Sequence, residues 1–321
     1  MKNELYPWLE GVWSQWKHNL DIDQFSNVSL LVGASGLGTN ELVRKLSLAI
    51  MCTNQTTEPC GYCHSCNLMA SSTHPDYHLF RPEKEGKAIS VDQIRQCNKL
   101  AQESSQLSHA RLIVIESAHS LNESAANALL KTLESAHSGC FFVLLTDKLN
   151  LLLPTIVSRC QQWSIPTPSS QQVTDWVQKE TRKACPQYVA HICNYEPLKT
   201  RDFIESDQLA RYQDIESYFL KYLQGEESWS STVATLNKEP ELTLTWIWYL
   251  ISDAQKWHFQ LTGEQATPGS EQLSALRSYD CLYKMNVALT NLMQQLKSSS
   301  GLNSELLIAN WLIEYEEDTC L

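Results

Sequence analysis

The chain has 321 residues, an apolar fraction of 43% and ten tryptophans, which is enough for two or three domains with real hydrophobic cores. Its net charge of −11 is uneven, because residues 206–321 carry 16 acidic and only 7 basic side chains. A part of the chain this acidic would repel a phosphate backbone, so we expect it not to bind DNA and to serve either contact with a protein partner or solubility. We find no secretory signal and no apolar run near the roughly 20 residues of a membrane span, which predicts a soluble, cytoplasmic protein without membrane partners.

Short apolar runs alternate with helical patterns through the first half of the chain. The runs predict buried strands at 28–32, 112–115, 140–145 and 162–165, and helical spacing predicts helices over 41–51 and after an N-cap at Asn122. A leucine-rich helical stretch is expected before Ser158. Because strands alternate with helices, we predict a parallel sheet with crossover helices.

The segment from Pro166 to Ser170 is rich in proline and serine and predicts a domain boundary. Only helical patterns follow it, first in a short piece over 167–205 and then in a stretch from 206 to 321 that is rich in Trp, Tyr and Leu. The predicted fold class is therefore α/β over residues 1–166, followed by an all-α part.

The turn after the first strand has the spacing of a phosphate-binding loop without its chemistry. A working loop reads G-x-x-x-x-G-K-[ST], and here Gly33, Gly36 and Gly38 keep the spacing. Thr39 stands in place of the lysine that neutralises phosphates, and Asn40 in place of the hydroxyl that holds magnesium. A plain glycine turn with no nucleotide history is the alternative interpretation.

The second predicted strand ends in Glu116 and Ser117, where working ATPases place two acids. One acid could lie near a metal, but nothing there could activate water. We therefore predict that the chain does not hydrolyse ATP, although weak nucleotide binding by backbone amides stays open. A divergent ATPase of the same superfamily is the competing hypothesis.

Four cysteines lie within fifteen residues of one another, in an insert that spans 52–66. Cys60, Cys63 and Cys66 have the spacing C-x2-C-x2-C, and Cys52 precedes them. Four thiolates at short spacing suit a closed, structural tetrahedral Zn²⁺ site. An iron–sulfur cluster, unliganded thiols and replacement of one thiolate by His64 are the alternatives.

Arg159 lies between Ser158 and Cys160 at the end of the expected leucine-rich helix. An arginine at a subunit edge can reach a neighbour's ATP site and stabilise the γ-phosphate, as an arginine finger does. Most arginines at helix ends instead satisfy carbonyls or pair with a carboxylate, and the tripeptide alone does not decide between the two roles.

Taken together, these motifs resemble the delta-prime subunits of bacterial DNA polymerase III clamp loaders, of the gammaproteobacterial type, in the AAA+ superfamily. The likeness runs along essentially the whole chain. It includes the opening Tyr6-Pro7-Trp8-Leu9, the degenerate loop with its cysteine insert, His74-Pro75-Asp76-Tyr77, Ile89 to Arg95, the helix from Ala125 to Glu134, Ser158-Arg159-Cys160 and Gly301 to Leu307.

The resemblance implies a nucleotide-binding-like AAA+ domain over 1–166, a helical lid over 167–205 and a helical collar over 206–321. It implies a ring of five subunits with delta and with ATP-hydrolysing gamma or tau, which opens the sliding clamp and places it on primed DNA. In that family this subunit is a relatively rigid part of the DNA-directed DNA polymerase holoenzyme, a nucleotidyltransferase by association only. The likeness makes Arg159 a finger for the neighbour's ATP and the four cysteines zinc ligands.

The chain departs from the ATP-hydrolysing relatives at two further positions. Leu198 occupies the place of a lid arginine that senses ATP, and Arg201 lies three residues further on. Thr146 and Asp147 occupy the place where ATPases often keep a polar sensor ending in Thr-Asn. Both departures imply an ATP site that has lost its function.

Overall fold

A computed structural model describes residues 5–54, 57–84, 86–107, 110–136, 139–261, 263–299 and 301–315. The chain divides into two compact units, Met1–Thr167 and Pro168–Leu321. Each unit is built around its own hydrophobic core.

The first unit contains a five-stranded parallel sheet in the order β2-β3-β4-β1-β5. Its strands are β1 (Val28–Val32), β2 (Tyr77–Phe80), β3 (Arg111–Ile115), β4 (Cys140–Thr146) and β5 (Gln161–Ser164). Four of them coincide with the predicted strands to within a residue. The edge strand β2 was not predicted, because it is short and only Phe80 in it is buried.

Helices cover both faces of this sheet, and neighbouring strand residues supply the two cores. Leu30 packs with the helices of one layer, and the adjacent Leu31 packs with those of the other. The helices are α1 (Glu10–Asp21), α2 (Thr39–Met51), α3 (His64–Ala70), α4 (Val91–Gln102), α5 (Glu123–Glu134) and α6 (Pro154–Val157).

Local signals explain where these helices begin. The Asn122 side chain accepts a hydrogen bond of 2.8 Å from the amide of Ala125, as its prediction as the N-cap of α5 requires. The leucine spacing predicted one helical stretch before Ser158, but the structure divides this stretch in two. Pro154 starts α6 anew after a 3-10 turn over Leu149–Leu151, because proline favours the first position of a helix.

The second unit is helical throughout its described residues. Side chains from 167–205 and from 206–321 share one hydrophobic core, and Phe203 packs edge-on against Trp246 with ring centroids 5.6 Å apart. A separation into lid and collar stays a prediction. The helices are α7 (Ser170–Thr181), α8 (Gln187–Ile192), α9 (Pro197–Glu205), α10 (Gln208–Leu223), α11 (Trp229–Leu236), α12 (Pro240–Trp257), α13 (Ser270–Leu276), α14 (Tyr279–Ser298) and α15 (Ser304–Glu314).

A buried carboxylate on α12 ties three segments of this helical unit together. Asp253 is 1% exposed and accepts hydrogen bonds from Lys256 at 2.7 Å, from His191 at 3.1 Å and from the amide of Thr267 at 3.0 Å. Burial acts to raise the pKa of Asp253, but the bonds from His191 and Lys256 outweigh it and hold this pKa below its usual range. The carboxylate therefore stabilises the folded unit in its ionised form.

This architecture confirms the predicted fold class, an α/β part with a parallel sheet followed by an all-α part. Among the described residues, none of the helices is both long enough and apolar enough to cross a bilayer.

Candidate functional site

An open cleft of about 700 Å³ lies at the carboxyl ends of β1, β3 and β4, where parallel sheets commonly bind ligands. The degenerate loop, the end of β3 and the end of β4 all contribute to it. Its lining includes Gly33, Thr39, Asn40, Lys87, Glu116, Ser117, His119, Thr146, Asp147 and Lys148.

The phosphate loop in this cleft uses part of its backbone on itself. Residues Ser35–Leu37 form a 3-10 turn, in which the amide of Leu37 donates to Ala34 and that of Gly38 to Ser35, each at 3.1 Å. Gly38 adopts a left-handed φ of 72°, which glycine tolerates without strain. Two amides of a loop that would cradle phosphate therefore already have partners.

The side chains that enter α2 cannot replace the missing groups. Thr39 is 7% exposed and its methyl lies so near Gly33 that a Cβ there would be 3.0 Å away. Asn40 lines the cleft but carries no positive charge. The loop thus lacks both the cation and the hydroxyl that ATP and magnesium require.

The end of β3 turns sharply just where a second acid would be needed. Glu116 continues the ladder, since its amide donates to Phe80 at 2.9 Å, but Ser117 has a left-handed φ of 51°. The carbonyl of Ser117 accepts bonds from the amide and hydroxyl of Ser120 at 2.8 and 2.7 Å. Ser117 therefore shapes a turn and offers no base for water.

His119 joins the polar groups on two sides of the cleft. Its Nδ1 lies 3.1 Å from Asp147 Oδ1 and 3.2 Å from Thr146 Oγ1, while the amide of Lys148 donates to that same Thr146 oxygen at 3.0 Å. Sequence reasoning missed His119, although its position three residues after Glu116 is a usable signal. Thr146 and Asp147, at the sensor position, thus make their polar contacts within the chain.

The four cysteines of the insert come together in the structure. Their sulfur atoms all lie within 4.8 Å of one another, and Cys60 Sγ is 3.9 Å from Cys66 Sγ. Sulfurs around a tetrahedral zinc with bonds of about 2.3 Å are separated by about 3.8 Å. The sites of Cys52, Cys60, Cys63 and Cys66 therefore fit a metal ion of that size.

The thiols in this cluster also differ in acidity. Although burial opposes it, hydrogen bonds from Thr53 and the Cys66 amide lower the pKa of Cys63 to about 5. Burial, together with the neighbouring cysteines, raises the pKa of Cys66 to about 12. Thiolates so crowded repel one another, and a bound cation would relieve that repulsion.

A buried chain of hydrogen bonds fastens this cysteine module to the sheet. The amide of Asp76 donates to His74 Nδ1 at 3.1 Å, so the proton is on Nε2, which donates to Ser65 Oγ at 2.9 Å. Ser65 in turn donates to the carbonyl of Met51. The Asp76 carboxylate pairs with the buried Arg111 at 3.3 Å. These contacts give the His-Pro-Asp-Tyr motif a structural role.

Arg159 lies just after α6, with its side chain a third exposed. Its Nε donates to Glu134 Oε1 at 2.7 Å, its Nη2 bonds the same oxygen, and its Nη1 donates to the Thr155 carbonyl at 2.8 Å. The next residue, Cys160, is buried. Within the described chain, Arg159 is not among the residues that line the cleft.

Family profiles match most of the chain. The profile described as "DNA polymerase III, delta subunit" matches residues 8–169, and the one described as "DNA polymerase III, delta subunit, C terminal" matches residues 206–317.

Several proteins similar to this chain share the name "DNA polymerase III subunit delta'". The chain is 29% identical to "DNA polymerase III subunit delta'" of Haemophilus influenzae over 96% of both chains. It is 29% identical to that of Escherichia coli over 97% of this chain and 95% of the relative, and 34% identical to that of Pseudomonas aeruginosa over 54% and 52%. Together with the profile matches, these likenesses show that the chain belongs to the delta-prime family of DNA polymerase III clamp-loader subunits.

Proposed function

We propose that this chain is the non-hydrolysing member of a clamp loader. In this proposal it assembles with delta and with gamma or tau subunits into a ring of five in the cytoplasm. The ring opens the sliding clamp and places it on primer-template DNA during replication. The chain itself contributes structure and one arginine, and no turnover of ATP.

The state of the cleft is the observation that carries the non-hydrolysing role. Thr39 and Asn40 supply neither the lysine nor the magnesium ligand, and Ser117 supplies no base. Two loop amides bond within the loop. Since catalysis of phosphoryl transfer depends on positioning and charge stabilisation, we expect a site that lacks these groups not to accelerate it.

Arg159 supports the second half of the proposal, an arginine finger for a neighbour's ATP. The guanidinium is partly exposed and lies outside the chain's own cleft. In a loader reconstituted with partner subunits, Arg159→Ala should slow ATP hydrolysis at the adjacent site about 10³-fold. Arg95→Ala removes another arginine, exposed on α4, and is the matched control. An unchanged rate at that site would contradict the finger role.

We propose zinc as the metal of the cysteine cluster. Four thiolate donors with tetrahedral spacing and no free position favour a structural ion rather than a catalytic one. When bound, zinc would crosslink Cys52, Cys60, Cys63 and Cys66 and stabilise an insert with little core of its own.

A divergent ATPase is the second candidate, and the open cleft is the observation that favours it. Lys87 and Lys148 both line the cleft and could approach a phosphate from outside the loop. Turnover by the purified chain that Glu116→Gln abolishes would support this candidate, and binding of nucleotide without turnover would leave the first proposal intact.

Exposed aromatic side chains support a role of residues 206–321 as a collar that contacts other subunits. Tyr279, Tyr283 and Val287 lie one turn apart on α14 and are 36%, 54% and 45% exposed, and Phe259 packs edge-on against Tyr279. An apolar stripe at this spacing on one helix face is typical of a surface that packs against another helix.

A further inference from the structure

The side chain of Arg159 is held by two neighbours, Glu134 and Thr155. Glu134 is the last residue of α5, and its Oε1 atom accepts hydrogen bonds from both Nε and Nη2 of the guanidinium. Thr155 adds a backbone carbonyl that accepts from Nη1 at 2.8 Å. The N–H groups that these contacts leave free determine what the guanidinium can still bind.

A guanidinium carries five N–H groups in a rigid, planar fork. Three of them have partners here, on Glu134 and Thr155, and within the described chain the other two, both on Nη atoms, have none. N–H groups on the Nη atoms of arginine are good donors to a phosphate or carboxylate. The contacts of Arg159 therefore fix its orientation and still leave donors for an anion.

The Glu134–Arg159 pair is too exposed to serve mainly as a source of stability. The two side chains are 50% and 33% exposed, and ion pairs between solvated groups contribute little to folding. A long arginine that moves freely would lose rotamer freedom each time it engaged a ligand. A carboxylate that restrains it in advance reduces that loss.

We propose that Glu134 is a positioning residue for Arg159, which it orients for contact with the γ-phosphate of ATP bound to a neighbouring subunit. This inference rests on the proposed finger role of Arg159. It assigns to the last residue of α5 a part in hydrolysis at a site on another chain. Glu134 acts through Arg159 and does not itself touch ATP.

A latch that must open before Arg159 acts would predict the opposite effect on rate. In that case Glu134 would occupy the donors that the phosphate needs. Here two Nη protons stay available while Glu134 is bound, so the geometry favours positioning over blockage. Removal of Glu134 should then slow hydrolysis rather than speed it.

The test is steady-state ATP hydrolysis by the reconstituted loader in the presence of clamp and primed DNA, with kcat and KM measured separately. Glu134→Ala should lower kcat roughly fivefold, the effect of one freed long side chain, with little change in KM for ATP. Glu134→Gln keeps an oxygen that accepts from Nε and Nη2 and should stay within about twofold of the parent. Glu123→Ala, at the other end of α5, is the matched control.

A double substitution distinguishes the positioning role of Glu134 from the finger role of Arg159. Glu134→Ala should have no further effect on a loader that already carries Arg159→Ala, because the two residues act in one path. Co-elution of the subunits and the thermal midpoint of each variant show whether assembly and folding are intact.

Three results would overturn the positioning role: a higher kcat for Glu134→Ala, an equal loss in the Arg159→Ala background, or a Glu134→Gln rate as low as that of Glu134→Ala. An unchanged kcat for Glu134→Ala with a large loss for Arg159→Ala would also overturn it and leave the finger standing. No loss for Arg159→Ala would contradict the finger itself.

Discussion

The cleft lies in the same unit as a second polar region, the edge, which consists of Arg159 with Glu134 and Thr155. The two regions differ in how many of their donors stay available for an anion. In the cleft, His119 bonds Asp147 and Thr146, and two loop amides bond within the loop. At the edge, Arg159 is held by Glu134 and keeps two N–H groups without a partner in the described chain.

The two regions contrast a preserved backbone frame with a preserved chemical group. The loop keeps Gly33, Gly36 and Gly38 at the right spacing, but the donors and the charge that a phosphate requires are missing. Arg159 has no such frame around it and keeps the chemical group.

Loss of a metal ligand has the largest expected effect, because the cysteine cluster is proposed to need its metal for stability, unlike the cleft and the edge. Structural zinc binds with a free energy on the order of 10 kcal/mol, so Cys63→Ser should abolish stoichiometric zinc in the purified chain and lower its thermal midpoint. Cys193→Ala, which removes a cysteine from the helical unit, should keep one zinc. Full zinc content in the Cys63→Ser protein, measured by elemental analysis, would contradict the assignment.

Acid should weaken the helical unit through Asp253, with an intermediate effect. The pKa of Asp253 is lower in the folded chain than in the unfolded one. Its ionised form therefore contributes stability above the unfolded pKa of about 3.9, and this stability is lost as pH falls through the folded pKa. Asp253→Asn should cost about 2 kcal/mol at neutral pH and flatten the acid limb of a chemical denaturation series.

The matched control for Asp253 is Asp280→Asn, an exposed acid in the first turn of α14. It should change stability by no more than about 0.5 kcal/mol. An equal acid limb in the parent and Asp253→Asn proteins would refute the role of this carboxylate. Neither variant should alter the contrast between the cleft and the edge.

Restoration of the loop lysine should have the smallest effect. Thr39→Lys returns a cation to the cleft, but Asn40 and Ser117 still supply no magnesium ligand and no base. We expect ATP turnover by the isolated chain to stay at background, within about twofold of the parent. Thr73→Lys adds the same charge on an exposed surface. Robust turnover by Thr39→Lys would mean that the cleft lacks one group only.

The strands and the ligand cluster could be predicted because their signals are local. Apolar runs such as 28–32 define buried strands, and the spacing of Cys60, Cys63 and Cys66 is enough to bring thiols together. Strand β2 and the contacts of His119 could not be predicted. Both depend on partners distant in sequence, Arg111–Ile115 for the strand and Thr146 with Asp147 for the histidine.

The contacts of Arg159 show the same limit at the site. The sequence places the arginine at the end of a leucine-rich helical stretch, but it does not reveal that Glu134, twenty-five residues earlier, holds the guanidinium. Such a pair requires α5 and α6 to pack side by side, which no local pattern encodes. The proposed loss of the ATP site, in contrast, could be predicted from Thr39, Asn40 and Ser117 alone.

Single-turnover ATP hydrolysis by the reconstituted loader tests the central claim most directly, with two variants of this chain side by side. Glu116→Gln alters the acid that follows β3 in the chain's own cleft and should leave the rate unchanged. Arg159→Ala should lower the rate at the neighbouring site about 10³-fold. A rate that falls with Glu116→Gln and not with Arg159→Ala would contradict the account.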